Sequence, residues 1–540
     1  KQHFAGDGFH YEPLWFTPWP ADAAATTPLG GREVPVGDLV FDLAGVRIGM
    51  EICEDAWTPH RPGADHVRLG ADLILNPSAS HFAFHKGRVR QRLVEEASRA
   101  YGVTYIHANL LGNEAGRVIY DGQTLVGRQG KIVACGPRLS FHPVVLCEAT
   151  IDVDEGRMQR AQSSSHLPDV ASDPPNLVAA DFDWPRAAAS PGTVTRATWE
   201  TSEHLEAEEF SRAVALGLFD YLRKSHTNGF VVSLSGGADS AAVACLVGLM
   251  VRLAVEEIGV EQFASRLQLD DVDVASPPSP RSLTARLLTT VYQATENSSD
   301  ATRQSARAVA DGVGATHYEL DIGDLSAAYT AKVEQALGRS LTWETDDLTL
   351  QNIQARARGP AAWMLANANN ALLLATSNRS EAAVGYATMD GDTCGSISPI
   401  AGIDKAFLRR WLAWLEQIGP AKVGPIGQLK LVNQLAPTAE LRPQKTGQTD
   451  EQDLMPYDLL DAVEHHAIGL KRSPVEVRSA VAGEFPQYTA EQLDQWIRRF
   501  FVLWSRNQWK RERYAPSLHV DDKNLDPKTW CRFPILSGGF

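Results

Sequence analysis

No run of about 18 or more apolar residues occurs in the 540 residues, so no segment reads as a membrane-spanning helix. Basic charge is in short supply. Lys and Arg number 51 against 66 Asp and Glu, a formal net charge of -15. The chain therefore has no overall field to attract nucleic acid, although a local basic pocket for a phosphate stays open. Cysteine is sparse and scattered, at 53, 135, 147, 245, 394 and 531. No CxxC pair occurs, which argues against zinc ribbons and a disulfide framework and for a reduced, cytosolic protein. Methionine is missing from position 1 and no leader precedes Lys1, so the chain is expected to begin inside a longer one. No internal repeat is visible. What remains is an ordinary globular composition, 44% hydrophobic and 22% charged. The length suggests roughly two to four domains.

Alternating elements run through the first region, residues 1 to about 155. Val46, Ile48, Met50 and Ile52 alternate with Arg47, Gly49, Glu51 and Cys53, the period of a strand. Residues 71–76 and 103–107 read as further strands and 86–101 as a helix, an α/β layer arrangement. Residues 156–200 hold SSS, DPP and SPG clusters and read as a linker. The second region, 201–540, alternates helix 203–223, strand 229–234, a helix over about 240–257, a strand ending near Tyr292, a helix over about 301–312, and strands 316–320 and 371–376. That order favours a doubly wound parallel sheet. Residues 266–282, with DDVDVASPPSPRS, read as a mobile surface insertion.

One loop in the second region carries chemistry on its face. Ser235-Gly236-Gly237-Ala238-Asp239-Ser240 follows a strand and opens a helix. The glycines let backbone approach an anion closely, and the helix start offers unpaired N–H groups. Ser235 and Ser240 can donate to phosphate oxygens. Asp239 does not suit an anion unless a cation such as Mg²⁺ lies between them. The plain alternative is a serine-capped turn. No Gly-Lys-[Ser/Thr] is present, so this is not a Walker loop. Asn352 and Arg356, four apart on a helical stretch, could face one ligand together, and Arg suits phosphate.

The loop resembles the SGGxDS pyrophosphate loop of the N-type ATP pyrophosphatases. Residues 350–358 (LQNIQARAR), 376–392 (TSNRSEAAVGYATMDGD), 398–405 (SPIAGIDK) and 436–453 (APTAELRPQKTGQTDEQD), taken in order, resemble NAD⁺ synthetase. The resemblance implies a doubly wound, adenine nucleotide alpha hydrolase-like domain that adenylates the nicotinate carboxylate of deamido-NAD⁺ with ATP and then admits ammonia. It implies ATP contacts at Ser235, Gly236, Gly237, Asp239, Ser240, Thr376, Lys405 and Thr438. Asn352, Arg356 and Asp392 would contact deamido-NAD⁺, and Asp239 and Glu381 would bind Mg²⁺.

Cys53 ends the strand 46–52 in GMEICEDAWTPH. A lone cysteine there reads as a small buried hydrophobe or, given a base or a lowered pKa, as a nucleophile. With KQHFAGDGFHYEPLWFTPW at the start, NPSASH at 76–81 and HANLLGNEAGRVIYDG at 107–122, the region resembles the glutaminase domain of the glutamine-dependent NAD⁺ synthetases, a nitrilase-type αββα sandwich with a Cys-Glu-Lys triad. By that resemblance Cys53 is the nucleophile and Lys1 the triad lysine. Glu54, Ser78 and Tyr11 would contact glutamine. The triad glutamate and the opening strands would lie before Lys1, so the sandwich is expected to be partial. The resemblance also implies an internal ammonia tunnel and a homo-oligomer joined through the synthetase region. Residues 508–540, with Lys510, Arg511 and Arg513 beside aromatics, resemble the family's closing segment, which implies an approach to ATP or to a neighbouring subunit, with a packed terminal extension as the plain alternative. Two other functions stay open at this level: an ATP-pyrophosphatase amidotransferase with a different substrate, and a non-catalytic assembly subunit.

Overall fold

The computed structural model describes residues 1–6, 10–114, 116–164, 166, 176–185, 194, 196–273, 275–435, 441–442 and 450–536. The chain divides into two compact units, one of Lys1–Glu114 and Ile119–Glu203, the other of Ala115–Val118 and His204–Phe540.

In the first unit, the described residues form a seven-stranded mixed sheet. Its spatial order is Lys131–Cys135, Thr124–Arg128, Thr104–Asn109, Leu73–Ser78, Val46–Met50, Val40–Leu43 and Leu177–Ala180. The middle strands Val46–Met50, Leu73–Ser78 and Thr104–Asn109 run parallel. Helix Lys86–Tyr101 returns the chain between the last two and stops at Gly102, whose φ of +63° is the left-handed conformation a helix end favours. Val94 and Ala97 from that helix join Ile74, Tyr105 and Leu125 from the sheet, and Val103 just before it, in one apolar cluster. The stretch expected as a linker contributes structure to this unit. Residues Val153–Gln162 form a helix, and Leu177–Ala180 pairs in parallel with Val40–Leu43. Its DPP and SPG clusters lie outside the described residues.

In the second unit the strands Thr316–Asp321, Leu288–Ala294, Phe230–Ser233 and Leu372–Leu374 form a parallel sheet in that spatial order. Phe230, Val231 and Val232 are all buried, as a central parallel strand covered on both faces requires. The order reverses at Phe230–Ser233. One neighbour is the next strand in sequence and the other is the last. Such a switch point opens a crevice beyond the strand ends.

Helix Ala238–Leu267 leaves this strand and runs ten residues longer than the 257 expected. Gly259, at φ +74°, breaks the helical path inside it. The stretch 266–282, expected as a mobile insertion, leads instead into helix Pro280–Leu287. Ser279 caps that helix by accepting from Ser282 N–H, and Arg286 pairs with Asp271. Proline at the first helical position suits a helix start, which the loop-like composition concealed. Helices Tyr457–Glu464, Pro474–Glu484 and Ala490–Arg506 close a separate apolar cluster around Val463, Val481, Ile497 and Phe500.

Candidate functional site

A cavity of about 1040 Å³ opens in the second unit beside the switch point. Ser235, Gly237, Asp239, Ser240, Asn352, Arg356, Thr376, Glu381, Asp392 and Lys405 all line it. Gly236 lies behind the wall, and Thr438 falls outside the described residues.

The loop is held by its own hydroxyls. Ser240 Oγ accepts from Ser235 N–H at 3.1 Å, and Ser235 Oγ accepts from Gly237 N–H at 3.3 Å. The two hydroxyls lie 3.0 Å apart. Gly236 has φ +86°, and its carbonyl accepts from Ser305 Oγ at 2.8 Å. A Cβ there would stand 2.2 Å from the Thr302 carbonyl oxygen, so only glycine fits. The result is a turn pressed against helix Asp300–Val313, with the start of helix Ala238–Leu267 facing the cavity.

Three segments bring opposite charges together on the wall. Lys405 Nζ donates to the Asp239 carboxylate and, at 3.3 Å, to Glu381 Oε1. Asn378 Nδ2 donates to the other Asp239 oxygen at 3.0 Å, while Asn378 Oδ1 caps helix Arg379–Val384 by accepting from Glu381 N–H. The two carboxylates are hard oxygen donors that already share one cation, an environment that also fits a divalent metal.

Farther along the wall, helix Asp347–Ala368 presents Asn352 and Arg356, four residues apart as the sequence pattern anticipated. Thr388 Oγ1 donates to Asn352 Oδ1 at 2.9 Å, and Arg356 Nε donates to the Met389 carbonyl at 3.0 Å. Asp392 opens onto cavity solvent, yet the protein around it desolvates the carboxyl enough to push its pKa up to about 6. Lys510 lies within electrostatic reach. Its amine donates to the Gly385 and Ala387 carbonyls, and burial lowers its pKa. Lys510, Trp509 and Arg358 also line the cavity, and none was singled out from sequence as a site residue. The resemblance of 508–540 to the family's closing segment was the available signal, but it did not say which of its side chains reach the cavity.

In the first unit, strand Val46–Met50 ends three residues before Cys53, which has φ +51° and starts the short turn Cys53–Trp57. A non-glycine residue in that region is held there by its surroundings. Asp55 does much of the holding. Its carboxylate accepts from Ile52 N–H at 3.0 Å, Gln2 N–H at 3.0 Å and His3 N–H at 2.8 Å. This ties the segment carrying Lys1 to the cysteine turn. Lys1 Nζ sits 2.5 Å from Glu12, and both charges act on Cys53. Burial pushes the Cys53 thiol up. A hydrogen bond from Ala79 and the nearby Lys1 ammonium pull against it, while Glu12 and Glu54 push the same way as burial. Ser78 Oγ donates to Asn76 Oδ1 at 2.8 Å, and Tyr11 is half exposed. Glu12 and Asp55 were not anticipated. Both are ordinary acids in sequence, and their partners become visible only when the chain folds back.

Known proteins share both units. The family model for NAD synthase matches residues 210–512, and that for carbon-nitrogen hydrolase matches 3–160. Glutamine-dependent NAD(+) synthetase of Homo sapiens is 31% identical over 569 residues, covering 99% of this chain and 80% of the relative. The Saccharomyces cerevisiae enzyme of the same name is 29% identical over 577 residues, covering 99% of this chain and 80% of the relative. A crystal structure of a glutamine-dependent NAD(+) synthetase from Cytophaga hutchinsonii superposes with a TM-score of 0.80 at 41% identity. It covers all of this chain and 80% of that one. A carbon-nitrogen hydrolase unit and an NAD synthase unit thus occur here in one chain that these relatives match over 99% or more of its length, and the chain belongs to the glutamine-dependent NAD⁺ synthetases, ligases that make NAD⁺ by ATP-dependent amidation with glutamine as nitrogen donor.

Proposed function

We propose that the cavity of the second unit adenylates the nicotinate carboxylate of deamido-NAD⁺ and that Cys53 releases the ammonia that completes the amide. The observation that carries this reading is the meeting of Asp239, Glu381 and Lys405 on the cavity wall beside the loop at the sheet's switch point.

The loop N–H groups and the hydroxyls of Ser235 and Ser240 grip the β- and γ-phosphates of ATP at the helix start. Gly236 and Gly237 let that backbone close on the anion. Lys405 exchanges its carboxylate partners for phosphate oxygens and neutralises their charge. Thr376 and Thr438 contact the same nucleotide. Asp239 and Glu381 would hold Mg²⁺, whose bound charge would help neutralise the departing pyrophosphate. Arg356 and Asn352 position deamido-NAD⁺, with Asp392 toward its nicotinate end. The nicotinate oxygen bonds to the α-phosphorus as the bond to pyrophosphate breaks. Ammonia then bonds to the activated carbonyl carbon, loses a proton, and AMP departs. The protein's contribution is alignment and charge neutralisation.

In the first unit the triad glutamate takes the Cys53 thiol proton as the sulfur attacks the glutamine carboxamide carbon, and passes it to the departing nitrogen. Lys1, held by Glu12, stabilises the oxyanion. Ammonia leaves, a thioester remains, and water releases glutamate. Glu54, Ser78 and Tyr11 contact glutamine. Two wider features complete the proposal. The chain is homo-oligomeric through the synthetase unit, where Leu325, Tyr329, Leu348 and Met364 are exposed on helices Gly323–Leu337 and Asp347–Ala368. It works in the cytoplasm, a reading supported by its free thiols and ATP use. No described helix is long and apolar enough to cross a membrane.

The test is Cys53→Ala. Glutamine-dependent NAD⁺ formation should disappear, while ammonia-dependent formation stays within about twofold of the parent. Equal loss with both nitrogen sources refutes the division of labour.

A further inference from the structure

Lys405 occupies an electrostatically awkward place. It is the first residue of helix Lys405–Gln417, where the helix dipole disfavours a positive charge. Each backbone N–H at that helix start nevertheless has a dedicated side-chain acceptor. Lys405 N–H donates to Ser380 Oγ at 2.9 Å, Ala406 N–H to Asp461 Oδ2 at 3.0 Å, and Phe407 N–H to Asp404 Oδ1 at 2.7 Å. Ser380 Oγ in turn donates to Asp461 Oδ1 at 2.5 Å.

Ser380 is fully buried, and neither it nor Asp461 lines the cavity. Asp461 lies four residues after Tyr457 on helix Tyr457–Glu464, so the two share one helix face. The Tyr457 ring centre is 5.7 Å from Lys405 Nζ. One helix therefore touches Lys405 twice: Tyr457 meets its ammonium, and Asp461 meets its backbone through Ser380. Ser380 also immediately precedes Glu381, one of the two carboxylates the ammonium contacts. The chain from Asp461 through Ser380 thus ties the base of Lys405 to the segment that carries its partner.

We propose that Ser380 and Asp461 form a positioning clamp that aims Lys405 at the phosphate site for the synthetase reaction. The clamp touches no substrate and acts through Lys405. It rests on the reading of Lys405 as an ATP-phosphate ligand. Without Ser380 Oγ, the Lys405 N–H and one Asp461 oxygen lose their partner inside the protein, and the first turn shifts to find others.

The experiment is a double-mutant cycle on the full chain, reading the dissociation constant of MgATP by calorimetry. S380A, D461N and K405M are made singly, and each of the first two is combined with K405M. S380A and D461N are each expected to weaken MgATP about tenfold in the parent and less than about twofold in the K405M background. Equal weakening in both backgrounds overturns the clamp, because the loss then does not pass through Lys405. Parent affinity in S380A and D461N overturns it as well. If K405M itself binds MgATP as the parent does, the assignment of Lys405 to phosphate fails, and the clamp falls with it. That result is distinct from failure of the clamp alone. Should S380A not fold, D461N carries the same comparison, since it keeps the size of the side chain and removes one acceptor.

Discussion

Replacing Gly236 with alanine separates the loop's shape from the chemistry of its side chains. The residue has φ +86°, and an alanine in the left-handed region costs about 1–2 kcal/mol. Its Cβ would stand 2.2 Å from the Thr302 carbonyl oxygen and 2.9 Å from the carbonyl carbon. Both neighbours are backbone and cannot rotate away. Separating them forces the turn off helix Asp300–Val313, a packing cost of about 1–3 kcal/mol. It also strains the Ser305 bond to the Gly236 carbonyl. A displacement approaching an ångström at a group that positions phosphate lowers turnover by about 10²-fold. The assay is pyrophosphate–ATP exchange dependent on deamido-NAD⁺, read beside thermal melting. Gly259→Ala is the control. Gly259 has φ +74° and ψ 166° with nothing within 4 Å of an added Cβ, so it carries a backbone cost of its own without any collision. The expected result is loss of exchange in G236A and retention in G259A, whatever the relative stability of the two. If both variants exchange alike, contact with Thr302 does not shape the loop and the reasoning is wrong.

Asp239→Ala should reduce adenylation with either nitrogen source and raise the Mg²⁺ concentration needed for half-maximal rate. An unchanged Mg²⁺ requirement removes Asp239 from the metal's surroundings. Asp392→Asn tests a pH effect whose sign follows from its raised pKa. A carboxyl at about 6 in the folded chain, against an ordinary 3.8, binds its proton more tightly when folded. Its favourable contribution is complete below 3.8 and is lost as pH climbs through 6. The amide cannot ionise, so D392N should raise the melting temperature over the parent more at pH 8 than at pH 4. Equal shifts at the two pH values show that the carboxyl is not perturbed. Asp55→Ala frees Ile52, Gln2 and His3 N–H groups at once and should cost about 2–4 kcal/mol in the first unit, with glutamine hydrolysis lost. Parent-like stability and hydrolysis in D55A show that Asp55 does not tie the two segments together.

Local order was legible in the residues themselves. The alternation over 46–52 marks a strand, and Val46–Met50 is one. Gly102 and Gly314 end helices Lys86–Tyr101 and Asp300–Val313 in the left-handed conformation that only local backbone geometry demands. The four-residue spacing of Asn352 and Arg356 put both on one helix face, and both reach the cavity wall. The Gly-rich turn at 235–240 announced a tight backbone turn at a helix start because its requirement for φ above zero lies within six residues. Composition does not carry packing: within the Ser/Pro-rich stretch after 155, expected as a linker, Leu177–Ala180 pairs with Val40–Leu43 far behind it in sequence.

What tertiary structure alone decided are the partnerships across long separations. Lys405 meets Asp239 across 166 positions, Ser380 meets Asp461 across 81, and His3 meets Asp55 across 52. Periodicity, capping and turn preference act over a few residues, so they specify elements and the faces those elements present. Which carboxylate neutralises which ammonium depends on how strands and helices stack, and that is set by burying apolar faces rather than by the charged residues themselves. The sequence therefore determined the kinds of elements and the chemistry within each motif, while only the packed chain decided which motifs share a site and which acids hold the lysines in place.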